Sequence, residues 1–367
     1  MPGLLIRGGE IVTADRRGRG DVRVRESTVV EIGERLEAAG EEVVDATDLL
    51  VLPGGVDPHV HMSLPVAGTV SSDDFESGTA AGLAGGTTSI IDFVHPEPGE
   101  SFLDALAARR AEAAVAVADH GFHMAVTWCG QGTADEMARC VAEGVPSFKL
   151  YMAYKETVGL DDDDLVAALS VIAGLDALAV VHAEHGDAIE HLRRTFAAAG
   201  DTQPVYHARS RPAPLEGEAT HRIATLAGIL GARLYVVHVT CRESVEAIER
   251  AQAEGWRVTG ETCPQYLLLD DAVYERDDFE GAAYVIAPPI RPAEHQDVLW
   301  RALVDGTLEI VATDHCPFTM EQKELGRHDF RRIPGGAAGI EHRLADHRDG
   351  VPDRRQRALH PAGLLRR

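Results

Sequence analysis

The sequence predicts an α/β protein: a (β/α)8 barrel over residues 51–344, preceded by a small β domain over residues 1–50. Three observations carry this. The chain has 367 residues, enough for one barrel of about 250 residues and a second small domain. From residue 51 onward, eight short apolar runs recur, mostly separated by Ala/Glu/Leu/Arg-rich stretches with apolar residues at helical spacing. The first fifty residues instead read as short strands and turns.

In that first segment Leu4-Leu5-Ile6, Glu10-Ile11-Val12, Val22–Arg25 and Thr28–Ile32 are β-rich, punctuated by Gly8-Gly9 and Gly18–Gly20. The eight later runs lie near Val51–Asp57, Thr87–Phe93, Gly121–Thr127, Ser147–Met152, Leu178–His182, Arg233–His238, Arg257–Thr262 and Leu308–Ala312. Strands alternating with helices imply parallel βαβ units, and eight of them imply a barrel. Residues 345–367 differ: six Arg and three Asp follow no period, a local +3. We expect this Arg-rich tail not to be the native continuation, through truncation or a shifted reading frame.

Composition narrows the function. The chain is 45% hydrophobic and 26% charged, which favours a large core over bulk disorder. Thirty-five basic against 59 acidic residues give −24, which disfavours nucleic acid and anionic membranes as partners. No apolar run approaches the about 18 residues of a membrane span, and the N-terminus lacks signal-peptide character. Five scattered cysteines without a CxxC pair fit reduced thiols and a cytoplasmic setting.

Asp57-Pro58-His59-Val60-His61 ends the first barrel strand. Residues i and i+2 of a strand point the same way, so both imidazoles can reach one metal ion. In a chain with 17 histidines one such pair is weak by itself. His182, His238 and Asp314 end the fifth, sixth and eighth strands, at the rim where barrel active sites are built. Lys149 sits inside the apolar fourth strand. An ammonium there is costly unless paired or neutralised. Two readings stand: a salt bridge, or reaction of the neutral amine with CO2 to a metal-bridging carbamate. The surrounding residues favour the carbamate.

Asp161–Asp164 opens an apolar-periodic stretch and reads as helix N-terminal charge rather than a calcium site. Gly85-Gly86 precedes a strand, so it is no phosphate loop. Cys316 reads as packing.

PGGVDPHVHM, DDFESGTAAGLAGGTTSIIDF, FKLYMAYK, VVHAEHGD, VVHVTCRESV, GETCPQYLLLD, APPIR and TDHCPF together cover about residues 50–344. On these stretches the chain resembles the cyclic amidohydrolases of the amidohydrolase superfamily, in the dihydropyrimidinase/hydantoinase branch. FKLYMAYK and ETCPQYL point to this branch over dihydroorotases and allantoinases.

The resemblance implies two divalent metal ions, zinc first, with manganese or another ion as the alternative. His59, His61 and Asp314 would bind one ion, and His182 and His238 the other. Carbamylated Lys149 and a hydroxide would bridge them. Tyr154 would donate to the developing oxyanion, and Asp314 would carry the proton to the leaving nitrogen, with His315 supporting rather than reacting. The implied substrate is a small cyclic ureide or imide, a dihydropyrimidine or 5-substituted hydantoin. Its product would be an N-carbamoyl amino acid, which places the chain in pyrimidine degradation. The ring's amide edge would meet main chain at Ala287 and Gly335, where the branch usually carries Ser and Asn. Leu64, within residues 62–72, and Tyr151 would wall the pocket for the ring substituent.

Family chains run further, completing a small β-sandwich and forming homo-oligomers, tetramers or dimers. The resemblance fades after Leu344, so exposed strand edges and reduced stability are expected here. The alternatives to an active enzyme are a truncated, inactive product and a non-catalytic protein like the neuronal relatives that lack metal ligands.

Overall fold

The computed structural model describes residues 3–344; the Arg-rich tail falls outside them. Two compact units emerge, with their boundary between Gly54 and Gly55.

The first unit is one mixed sheet. Its strands are β1 (Leu4–Val12), β2 (Arg17–Arg25), β3 (Thr28–Gly33), β4 (Glu42–Asp45) and β5 (Leu50–Val51). They lie in the order β3-β2-β1-β4, with β5 also on β1. Glu26 and Ser27 both take positive φ between β2 and β3, the geometry of a tight hairpin that follows the strand twist. Gly8-Gly9 does not end a strand as the sequence suggested. It forms a bulge within β1, where Gly8 at φ 75° donates its N–H to Asp21 Oδ1 at 2.7 Å. β3 and β4 leave Val29, Val30, Ile32, Val43 and Val44 exposed.

The boundary corrects the expected division at residue 50. Val51 pairs with Ile11 of β1 rather than opening the barrel. Pro53 and Gly54 break the strand direction, and β6 (Gly55–Val60) starts only after them.

A small hairpin, β7 (Pro65–Val66) and β8 (Thr69–Val70), follows β6. The other barrel strands are β9 (Thr87–Val94), β10 (Asp119–Ala125), β11 (Ser147–Tyr151), β12 (Leu178–His182), β13 (Arg233–Val236), β14 (Val258–Thr262) and β15 (Leu308–Val311). All eight barrel strands are parallel neighbours in chain order. Asp161 caps the helix Asp162–Gly174 with its carboxylate, as the acidic run suggested. Gly85-Gly86 ends one helix and leads into β9.

The barrel closes between its first and last strands. Val60 bridges His315 in parallel, and His61 N–H donates to His315 O at 2.8 Å. Buried Asp57 accepts from Thr313 N–H at 3.2 Å and Thr313 Oγ1 at 2.7 Å. Arg343 staples the same seam, donating to Val56 O, Val311 O and Thr87 Oγ1. Phe93, Val180, Tyr235 and Val237 pack together in the interior, with Leu178 and Ile310 against them.

His123 is buried in this core. Its Nε2–H donates to Pro58 O at 3.0 Å, which leaves Nδ1 to accept from Ser147 Oγ at 2.6 Å. Burial holds His123, and likewise buried His207, at about 3. The unfolded chain therefore binds more protons than the folded one below the usual histidine value of about 6.5. Stability should fall as pH drops from about 6.5 toward 3, by up to about 1.4 kcal/mol per pH unit for each such histidine. Urea midpoints measured between pH 7 and 5 check this; a flat profile contradicts it.

Candidate metal centre

Six predicted residues gather at the C-terminal rim of the barrel, all buried: His59, His61, Lys149, His182, His238 and Asp314. His59 lies in β6 and His61 just beyond it, Lys149 in β11, and His182 at the end of β12. His238 and Asp314 sit in the turns after β13 and β15. Their backbones are left-handed, at φ 42° and 51°, and Tyr154 is also left-handed at φ 63°. Non-glycine residues adopt that region at a cost of order 1–3 kcal/mol each. The turns aim these side chains at one place.

One ligand atom each from His59, His61 and Asp314 comes within 4.8 Å of the others. His59 Nε2 and His61 Nε2 each lie 3.2 Å from Asp314 Oδ1. His59 donates its Nδ1–H to Glu261 Oε1 at 2.8 Å, so a neutral ring presents a bare Nε2 lone pair to a carboxylate oxygen. Burial keeps the His59 imidazole neutral, holding it well below its usual range despite Asp314 beside it. Two facing lone pairs repel, and a shared cation removes the conflict. The donor set fits a metal ion.

The second group is adjacent. The His182 and His238 rings are 4.6 Å apart, and His238 is 5.4 Å from His59. His182 Nε2 meets Glu184 Oε2 at 2.7 Å, which leaves Nδ1 for a ligand. Burial works against ionisation of Glu184, but Arg211 and His182 outweigh it and hold the carboxyl at about 2. Lys149 Nζ lies 5.0 Å from the Phe93 ring and 5.2 Å from the Tyr151 ring. It forms no ion pair among the described residues. Burial pulls its ammonium down to about 8, although Asp314 and Glu261 favour the charge.

Tyr154 stands 5.2 Å from the His182 ring, with the Arg211 guanidinium 5.5 Å from its own ring. Burial pushes the Tyr154 phenol up to about 12. Tyr151 is 6.0 Å from His182, and its hydroxyl meets His95 Nε2 at 2.7 Å. Leu64 belongs to the loop after His61, tied back through Ser71, whose hydroxyl donates to His61 O at 3.1 Å. Ala287 and Gly335 are half-buried in two further loops; among the described residues no hydrogen bond joins them to the imidazoles. His315 turns aside: its Nε2 meets Asp73 Oδ2 at 2.9 Å, and Nδ1 accepts from Gly339 N–H at 3.1 Å. Cys316 is buried, and burial pushes its thiol up, away from nucleophilic use.

Sequence reasoning missed Glu261. Its carboxylate accepts from His59 Nδ1, the Tyr235 hydroxyl and His238 N–H at 2.9 Å, so it orients residues of both groups. Burial pushes it up to about 7. Its strand, Val258–Thr262, carries a single apolar side chain among Thr, Gly and Glu, so a carboxylate there did not stand out as Lys149 did. Glu184 and Arg211 were also missed.

A closed parallel barrel with histidines and a carboxylate converging at its C-terminal rim defines a metal-site enzyme scaffold. Comparison with known proteins specifies it. The Amidohydrolase family matches residues 50–345. A D-hydantoinase of Geobacillus stearothermophilus is 45% identical over 93% of this chain and 73% of its own. A dihydropyrimidinase of Arabidopsis thaliana is 43% identical over 93% of this chain and 65% of its own. The crystal structure of a dihydropyrimidinase from Brevibacillus agri superposes with a TM-score of 0.92 at 47% identity, covering 94% of this chain and 75% of that one. The chain belongs to the amidohydrolase family, whose members are metal-dependent enzymes. No helix among the described residues is long and apolar enough to cross a membrane.

Glu261→Gln should weaken metal binding by about 10–100-fold, because His59 loses its charged orienting partner. Zinc titration against a competing chelator measures this; unchanged affinity would contradict the role given to Glu261.

Proposed function

We propose that this chain hydrolyses the cyclic amide C–N bond of dihydropyrimidines or 5-substituted hydantoins, giving N-carbamoyl amino acids. The observation that carries the proposal is the bare His59 Nε2 facing Asp314 Oδ1 at 3.2 Å, at the rim of a barrel whose relatives are D-hydantoinases and dihydropyrimidinases.

His59, His61 and Asp314 would hold one divalent ion, and His182 and His238 a second, with Lys149 contributing to both as its carbamate. Imidazole and carboxylate donors suit zinc, with manganese as the alternative. When bound, the metals supply a nucleophilic water of lowered pKa and polarise the ring carbonyl.

The chain's own residues do the rest. A lysine held near about 8 keeps a fraction of neutral amine at neutral pH. That amine adds to CO2 through its nitrogen and loses a proton, forming the carbamate. Asp314 accepts the water's proton and delivers it to the leaving ring nitrogen. Tyr154, a phenol that keeps its proton up to about 12, donates to the carbonyl oxygen as negative charge grows there. Arg211 fixes Tyr154 from behind and anchors Glu184 under His182. Leu64 and Tyr151 wall the ring substituent, and Ala287 and Gly335 offer main chain to its amide edge. A homo-oligomer, tetramer or dimer, and a cytoplasmic setting belong to the same proposal; all five cysteines are free thiols.

Metal analysis of the purified chain, beside hydrolysis of dihydrouracil and hydantoin, tests this. About two metals per chain with turnover are expected, and Lys149→Met should lose turnover and at least one metal. Folded protein without metal overturns the proposal. A second test uses the departure from the branch at residue 335. A Cβ on Gly335 would meet nothing within 4 Å, and its φ is not left-handed. Gly335→Asn should therefore change stability by less than about 0.5 kcal/mol while lowering the KM for dihydrouracil. An unchanged KM would show that the side chain at residue 335 does not set the preference for this ring.

A further inference from the structure

Lys323 is among the most deeply buried large side chains, at 1% exposure, yet it forms no ion pair among the described residues. Its Nζ donates to three main-chain carbonyls: Pro334 O at 2.7 Å, Gly336 O at 2.9 Å and Val285 O at 3.0 Å. An ammonium has three N–H bonds, so all of them are used. The Phe318 ring lies 5.6 Å from the nitrogen. Burial pulls the group down to about 7, and three carbonyl acceptors work the other way, favouring the charged form.

The three carbonyls belong to two loops far apart in sequence. Val285 stands two residues before Ala287, and Pro334 and Gly336 flank Gly335. A direct bond from Gly336 N–H to Val285 O at 2.9 Å joins the same loops. Gly336 leaves no room for a side chain: its φ is 154°, and a Cβ would sit 2.2 Å from Cys316 O. The first loop is fixed again by His207 Nε2–H to Ile286 O, the Tyr266 hydroxyl to Pro288 O, and Ile290 N–H to the Tyr274 hydroxyl. Ala287 and Gly335 are half-buried between buried neighbours. No partner among the described residues takes their main-chain N–H or C=O groups.

We propose that Lys323 is a positioning residue for substrate recognition, one ammonium that sets the spacing between the main-chain groups of Ala287 and Gly335. It touches no substrate itself. The proposal rests on the cyclic-amide reading above, in which those two residues receive the ring's amide edge. Because the loops are pinned from inside, the separation of the two recognition points is fixed before a ring arrives.

Lys323→Met keeps the side-chain length and removes the donors. In the zinc-loaded full chain, its KM for dihydrouracil should rise at least about tenfold while kcat stays within about threefold, the signature of lost ground-state binding. Metal per chain should be unchanged. The ratio of kcat/KM for dihydrouracil to that for hydantoin should shift at least about threefold, since six- and five-membered rings need different spacings. An unchanged KM, or a fall in kcat alone, in folded and metal-loaded protein overturns the proposal. Where Met prevents folding, Lys323→Gln, which keeps two donors, should show the same KM effect in smaller measure. In the unaltered protein, hydrogen exchange at the Gly336 amide should be as slow as in β11; loop-like exchange overturns the clasp whatever the variants do. A wild-type chain that turns over neither ring refutes the cyclic-amide reading, whereas the exchange measurement reports on the clasp independently.

Discussion

The seam between β6 and β15 is the constraint on which the site depends. His59 and Asp314 are separated by most of the chain, yet their ligand atoms lie 3.2 Å apart. Asp57 makes this possible. Fully buried, it binds Thr313 through both main chain and side chain, which fixes the turn that aims Asp314. Burial raises the Asp57 carboxyl and Arg343 nearby draws it back, so the staple at the seam also offsets the electrostatic cost of the carboxylate within it.

Around that seam, polar groups occupy positions that a barrel would normally fill with branched apolar side chains. Lys149 and Glu261 enter the interior from β11 and β14, and each is shifted by desolvation. Glu261 links His59 to the backbone of His238, so the two candidate metal positions share one orienting carboxylate. Glu184 and Arg211 support His182 and Tyr154 in the same manner on the far side. The rim is a connected network, and a change at any member is felt by both groups of imidazoles.

Much of this was legible in the sequence. Apolar runs of strand length and helical spacing between them located all eight barrel strands, because each strand is decided by its own local pattern. Five of the six convergent residues announced themselves as polar side chains at or near the ends of apolar runs, and Lys149 as one inside such a run. Long-range partners carried no such mark. Glu261, Arg211 and Lys323 act through contacts with residues tens to hundreds of positions away, and periodicity is silent about those. The Gly8-Gly9 bulge was misread as a break because glycine serves turns and bulges equally. The domain boundary shifted by four residues because Leu50–Val51, apolar enough for a barrel strand, found a partner in β1 first.

The left-handed turns at Tyr154, His238 and Asp314 have an evolutionary consequence. Glycine at any of them would ease the backbone, so drift toward stability alone pushes these positions toward the one residue with no side chain to contribute. A lineage that kept this barrel for another purpose would be free to take that path. Here three strained turns carry a phenol, an imidazole and a carboxylate, side chains that the relaxed glycine backbone could not supply.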